Sequence, residues 1–249
     1  MSSTWSINHF DVIAFDADDT LWHNESIFYS THDKFKDLLS KYHDEEWIAS
    51  KLNETESRNI LHFGYGVKGF TLSMIETAIE LSEGRITANE IQSLIEIGKA
   101  MMNAPVELLD GVRETIETLA QTFELMLITK GDLFHQESKI ASSGLGEFFN
   151  RIEIVSEKEV SVYERLIRKY NIKPERFAMI GNSLKSDILP VIAIGGVAIH
   201  IPYKTEWVHE RVEASELDGK HFIQIDHIKL LPELFNNMSR SAVQPAGNS

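Results

Sequence analysis

The chain has 249 residues, 43% hydrophobic and 25% charged, which is globular composition and excludes a chain disordered throughout. Its 38 acidic against 24 basic residues leave a net charge of -14, which disfavours a polyanion such as nucleic acid as partner. With no cysteine, disulfides, thiolate-bound zinc and cysteine nucleophiles are excluded together.

The opening residues MSSTWSINHF lack a basic stretch followed by an apolar run. No segment reaches the ~18 consecutive apolar residues of a membrane span, so a cytoplasmic protein with no membrane partner is the expectation. Val12–Phe15 is then a short apolar run of the kind that forms a buried strand. It leads straight into Asp16-Ala17-Asp18-Asp19-Thr20. Three carboxylates within four residues raise one another's pKa unless a cation or a shared proton offsets the crowding. A divalent metal is the simplest offset, and hard oxygen donors suit magnesium. The other reading of the segment is a polar turn that caps a helix.

Residues 26–103 carry helical periodicity without a clear strand, as at Leu72, Ile75, Ala78 and Ile79, and predict a helical insertion. Gly64-Tyr65-Gly66-Val67-Lys68-Gly69 fits the dinucleotide pattern G-x-G-x-x-G. That pattern requires a preceding strand, and none is evident, so the match is read as chance. After Gly111 strand and helix alternate: helical spacing at Val112, Ile116, Leu119 and Ala120, then apolar runs at residues 125–128, 177–180 and 197–201, with a more polar candidate strand at 152–155. A helix over residues 161–170 opens on a capping-box pattern, Ser161-x-x-Glu164. The alternation predicts an α/β fold, a Rossmann-like parallel sheet with helices on both faces. Residues 239–249 are small, polar and aperiodic, and are expected to form a disordered tail.

Polar groups follow each strand in turn. Thr129-Lys130-Gly131-Asp132 comes after the second, where a hydroxyl and backbone N–H groups could cradle a phosphate or merely cap a helix. Lys158 follows the third by three residues, placed either to neutralise a phosphate or to be solvated. Gly181-Asn182-Ser183-Leu184-Lys185-Ser186-Asp187 follows the fourth and offers further oxygen ligands or a helix cap.

In order and spacing, these four segments resemble the four motifs of the haloacid dehalogenase-like superfamily, in its capped phosphatase branch. The resemblance implies an α/β core of residues 1–23 and 105–238 with a helical cap of residues 24–104. It implies Asp16 as a nucleophile that forms an aspartyl-phosphate and also binds magnesium. Asp18 would be the acid and base, its backbone carbonyl a metal ligand, and an acid at this position separates phosphatases from dehalogenases. Thr129 and Lys158 would hold the phosphoryl group, and Asp187 would complete the metal ligands. Asn182 stands where the family often has an acid; it still supplies an oxygen but with one negative charge fewer. Lys130 stands where many relatives have a small or amide residue, and either adds a cation to the phosphate pocket or points outward. In the cap, Tyr65 and Lys68 are candidate substrate contacts if their glycine-flanked loop reaches over the site, and otherwise belong to a connector. The implied partner is a small phosphorylated metabolite. A phosphomutase with the same intermediate and a catalytically silent binding relative are the alternatives. A receiver-type domain, which also clusters aspartates, is too short to hold the ~80-residue insertion.

Overall fold

The computed structural model describes residues 10–205, 207 and 210–241. Six strands form one parallel sheet: β1 (Val12–Phe15), β2 (Glu124–Lys130), β3 (Arg151–Val155), β4 (Phe177–Gly181), β5 (Val197–His200) and β6 (Ile223–Gln224). Their order is β3-β2-β1-β4-β5-β6, so β1 lies between β2 and β4 and chain order reverses there. Such a switch point opens a crevice at the carboxyl ends of the strands.

Both faces of the sheet are covered, which is why the strands are continuous apolar runs rather than alternating ones. Ile13, Phe15, Leu125, Leu127, Ala178 and Ile180 point to one face. There they pack against Val112, Ile116 and Leu119 of α5 (Val112–Ala120) and against Leu231 and Phe235 of α9 (Leu231–Ser241). Val12, Ala14, Met126, Ile128 and Met179 point to the other, against Tyr163 and Leu166 of α7 (Val160–Lys169) and Val191 of α8 (Leu189–Ala193). The period of two in the strands thus sorts the sequence between two cores. α6 (Leu133–Ser143) follows β2.

Between β1 and α5 the chain forms four helices, α1 (Glu25–Leu39), α2 (Glu45–Phe63), α3 (Val67–Leu81) and α4 (Ala88–Met102). They enclose a third core of Phe35, Leu39, Ile48, Leu52, Phe70, Met74 and Leu94. Asp44 caps α2 by accepting from Trp47 N, and Thr87 with Glu90 forms a reciprocal capping box on α4. The glycine-rich segment at 64–69 joins two helices with no strand before it, so the dinucleotide pattern is a coincidence of spacing. Gly66 has φ 113, and a Cβ there would sit 3.2 Å from the Asp132 backbone N. Glycine therefore lets this loop press against the start of α6.

Two local expectations and one alternative reading need correction. Ser161 is not an N-cap: α7 begins at Val160 with Glu159 in the capping position, and the Ser161 hydroxyl donates to Glu159 Oε1 at 2.6 Å. Thr129 is not a cap either, since it lies within β2 while Asp132 caps α6 by accepting from His135 N at 2.9 Å. α9 runs to Ser241, three residues into the segment expected as a tail, and residues 242–249 lie outside the described residues. No helix among the described residues is long and apolar enough to cross a membrane.

Candidate active site

Asp16 directly follows β1, and its backbone N donates to Ile180 O of β4 at 2.9 Å. Lys158, in the connection from β3 to α7, donates from Nζ to Asp16 Oδ1 at 2.5 Å and to Asp187 Oδ1 at 2.8 Å. All three side chains are buried, with Lys158 only 4% exposed and Asp187 1%. Burial pushes the Asp16 carboxyl up to about 7, against the pull of Lys158, with Asp187 adding to the rise. Burial alone would pull Lys158 down, but Asp16 and Asp187 carry it well above the usual lysine value. A buried cation between two carboxylates stays protonated because losing its proton would strand both. Gly181, the last residue of β4, makes room for this triad: a Cβ there would lie 2.2 Å from Asp187 Oδ2.

A second cluster consists of oxygens. Thr20 Oγ1 lies 3.0 Å from Asp16 Oδ2 and 3.2 Å from Asn182 Oδ1, and its single proton can satisfy only one of them. Asn182 Oδ1 is also 3.2 Å from Asp16 Oδ2 and 3.3 Å from the Asp18 main-chain oxygen. Acceptors this close repel unless a donor or a cation lies among them. With the amide turned over, its nitrogen lies within donating distance of all three neighbours and its two protons can serve two of them; with a cation present, the oxygen faces inward. Adjacent ligands around a magnesium ion, with bonds of about 2.1 Å, are about 3.0 Å apart, so the donor set fits that ion. Asp187 is turned elsewhere, its Oδ2 accepting from Ser183 N at 3.0 Å. Among the described residues no three His, Asp or Glu side chains cluster as a metal cage.

Asp18 is held from the other side. Its oxygens accept from Lys139 Nζ at 2.6 and 2.8 Å, from Trp22 Nε1 at 2.7 Å and from Gln136 Nε2 at 3.2 Å. Burial would raise this carboxyl, but Lys139, Trp22 and Gln136 together bring it below the usual aspartate range. Gln136 Nε2 is also 2.5 Å from the Thr129 hydroxyl, which is 1% exposed. Asp19, with φ 61, uses its carboxylate to accept from Asn24 N and Glu25 N at the start of α1. It ties the motif to the first helix of the insertion.

These groups open onto a cavity of about 370 Å³ between the sheet edge and the four helices, walled on the helical side by Phe28, Ile60, Val67 and Phe70. Tyr65 lines it, edge-on to Trp207, with its hydroxyl donating to Glu157 at 2.5 Å. Lys130 points inward, 4.3 Å from the centre of the Tyr65 ring and bonded to Ser186 Oγ at 3.0 Å and to Glu210. Lys68 is exposed and pairs with Asp132 at 3.0 Å; it is not among the residues that line the cavity. The structure thus brings Asp16, Asp18, Thr129, Lys130, Lys158, Asn182, Asp187 and Tyr65 to one cavity and leaves Lys68 at its outside.

A family model described as haloacid dehalogenase-like hydrolase matches residues 10–195, three quarters of the chain and the whole span from the Asp16 motif to the Asp187 motif. The chain belongs to the haloacid dehalogenase-like hydrolases. A crystal structure of a haloacid dehalogenase-like family hydrolase from Xanthomonas campestris is 43% identical, with a TM-score of 0.83, covering 94% of this chain and 93% of that one. Glyceraldehyde 3-phosphate phosphatase of Methanothermobacter thermautotrophicus is 30% identical over 125 residues, 48% of this chain and 54% of the relative. The enzyme of the same name from Pyrococcus furiosus is 28% identical over 137 residues, 52% of this chain and 54% of the relative. The chain thus spans about half the length of the curated relatives it matches.

Within this haloacid dehalogenase-like hydrolase, several residues reach the site without any signal at a strand end. Gln136 and Lys139 are three apart on α6, a helix placed just after Thr129, and that i, i+3 spacing was the one available clue. Glu210 and Trp207 come from the long connection after β5, where no pattern marks them. Trp22 reaches Asp18 because the chain turns back on itself over 18–22, with Asp19 N donating to Trp22 O at 2.7 Å.

Proposed function

We propose that this hydrolase is a magnesium-dependent phosphatase that cleaves a small phosphomonoester through a covalent phosphoryl intermediate on Asp16. The observation that carries the reading is the buried Asp16–Lys158–Asp187 triad beside converging oxygens at the floor of the cavity. Phosphoryl transfer needs positioning and charge neutralisation above all, and this site is built from both. Asp16 attacks phosphorus in line; its O–P bond forms as the bond to the leaving oxygen breaks, and Asp18, ionised before substrate binds, passes to that oxygen the proton it takes from the phosphomonoester on binding. Water then attacks phosphorus, Asp18 takes its proton, and the Asp16–phosphorus bond breaks. Lys158 neutralises phosphoryl charge, and Thr129, which accepts from Gln136, turns its hydroxyl proton to a phosphoryl oxygen. Asp16, the Asp18 main-chain oxygen and Asn182 would hold magnesium, with Asp187 beside them; the ion would neutralise charge on the transferring group.

Residues 24–104 act as a cap that shuts water out of the cavity during transfer. A cavity of about 370 Å³ lying beneath the four helices suits a metabolite better than a phosphoprotein. Relatives named for a small sugar phosphate support the same class of substrate.

Two outcomes test this reading. Hydrolysis of p-nitrophenyl phosphate is expected with magnesium, to fall at least about 10²-fold in EDTA and to return with excess magnesium, since the ion supplies several kcal/mol of charge stabilisation; turnover indifferent to EDTA would reject the metal. Gly181→Ala forces the Asp187 carboxylate to move. Its turnover is expected to drop about 10²-fold, as a displacement near 1 Å can cost that much, with the far-UV circular dichroism unchanged. Wild-type turnover in this variant would show that the position of Asp187 does not matter.

A further inference from the structure

We propose that Lys139 is a positioning residue for Asp18, presenting the carboxyl to the leaving oxygen of the substrate. The inference rests on the phosphatase reading above and adds a residue to it. Lys139 is on α6, outside the four segments that supply the other groups. Its Nζ reaches both Asp18 oxygens, at 2.6 and 2.8 Å, and the Asn24 Oδ1 at 3.2 Å. Its side chain is 11% exposed, so the pair is screened far less than a surface ion pair.

The geometry argues for more than an incidental salt bridge. Asp18 can rotate about two side-chain bonds, and a carboxyl that serves as proton donor must be held within hydrogen-bond reach of the leaving oxygen. Three donors fix it: Lys139 and Gln136 from one face of α6, and Trp22 Nε1 from the turn after β1. Gln136 spans Asp18 and the Thr129 hydroxyl, so the helix that carries Lys139 also sets the group that holds phosphate. Asn24 is the residue before α1, so the same ammonium touches the entry to the helical unit. Lys139 and Gln136 thereby link Asp18, the Thr129 hydroxyl and the Asn24 side chain through contacts from a single helix face.

A positioning role for proton donation has a signature that loss of fold lacks: it matters more when the leaving group is poor. Phenyl phosphate and p-nitrophenyl phosphate are similar in size, but phenol, with a pKa of about 10, leaves much less readily than its nitro analogue without a proton. The test compares kcat/KM for both in wild type, Lys139→Met, Lys139→Arg and Asp16→Asn, all with magnesium, since this ratio reports the steps up to the first irreversible one. In Lys139→Met the value for phenyl phosphate is expected to fall about 10²-fold, the typical worth of a placed acid, and that for p-nitrophenyl phosphate less than about tenfold. Lys139→Arg, which keeps a donor within reach of both oxygens, is expected to recover most of the phenyl phosphate activity. Equal losses on the two substrates, or none on either, would overturn the proposal while Asp16→Asn stays inactive and the phosphatase reading stands. Wild-type turnover that survives Asp16→Asn would sink that reading and this proposal with it.

Discussion

Asp16→Asn is expected to abolish turnover, by at least about 10³-fold, while leaving the fold intact. Removing a nucleophile that acts as a unit with its neighbours typically costs several orders of magnitude, and an amide cannot form the bond to phosphorus. The substitution is nearly isosteric and keeps an oxygen for Lys158. It removes a carboxylate whose charge is costly where it lies: burial raises Asp16 to about 7. A carboxyl raised in the folded state binds more protons folded than unfolded between its two pKa values, so its ionisation erodes stability as pH rises from about 4 toward 7. Metal-free Asp16→Asn is therefore expected to melt no lower than metal-free wild type above pH 7. Acid-quenched wild type taken during turnover should carry one phosphoryl group on the peptide containing Asp16, read by mass spectrometry, and the variant should carry none. A labelled Asp16→Asn, or one that still turns over, would place the nucleophile elsewhere.

The parts of this architecture legible in the sequence are those governed by local rules. Buried parallel strands need apolar side chains on both faces, so 12–15, 125–128 and 177–180 stand out, with the edge run 152–155 more polar, and each observed strand begins within one residue of its run. Functional groups at the end of such strands or just beyond it, as Thr129, Asp16 and Asp18 are, inherit their position from the sheet, whereas Asp187 is carried by the turn that follows β4. β6 has only two residues, Ile223 and Gln224, too few to show a period, and its strand character comes from pairing with β5. Lys139 and Gln136 were invisible for a different reason. Their distance to Asp18 depends on how α6 packs across the sheet edge, over more than a hundred residues of sequence separation. Lys130 presents the intermediate case: its position after Thr129 was legible, but its choice between cavity and solvent was decided by Glu210 and Tyr65, which arrive from distant loops.

Lys158→Met is expected to damage stability as much as activity. The wild-type ammonium sits between two carboxylates that are 7% and 1% exposed; without it, like charges share a buried site with no counter-ion. Breaking a buried pair by removing one partner costs about 3–5 kcal/mol, which in a chain of this size is a drop of about 6–20 °C in melting temperature. The loss should depend on pH in a determined direction. Lys158 is raised above its unfolded value, so in wild type its contribution is complete below the ordinary lysine pKa of about 10.4 and constant between pH 5 and 8. In the variant, Asp16 loses the cation that pulls its pKa down, so the folded state holds a proton that the unfolded state gives up above about pH 4. Stability then keeps falling with rising pH past the point near pH 7 where the wild-type fall ends, so the gap to wild type should hold steady from pH 5 to about 7 and be wider at pH 8. Magnesium should close part of that gap by binding the folded state alone, whereas turnover should remain about 10²–10³-fold down because the cation that faces the phosphoryl group is gone. Melting curves at the two pH values, with and without magnesium, check the whole pattern. A deficit that does not change with pH would mean that Lys158 contributes packing rather than charge, and that the triad is not the electrostatic centre of the site.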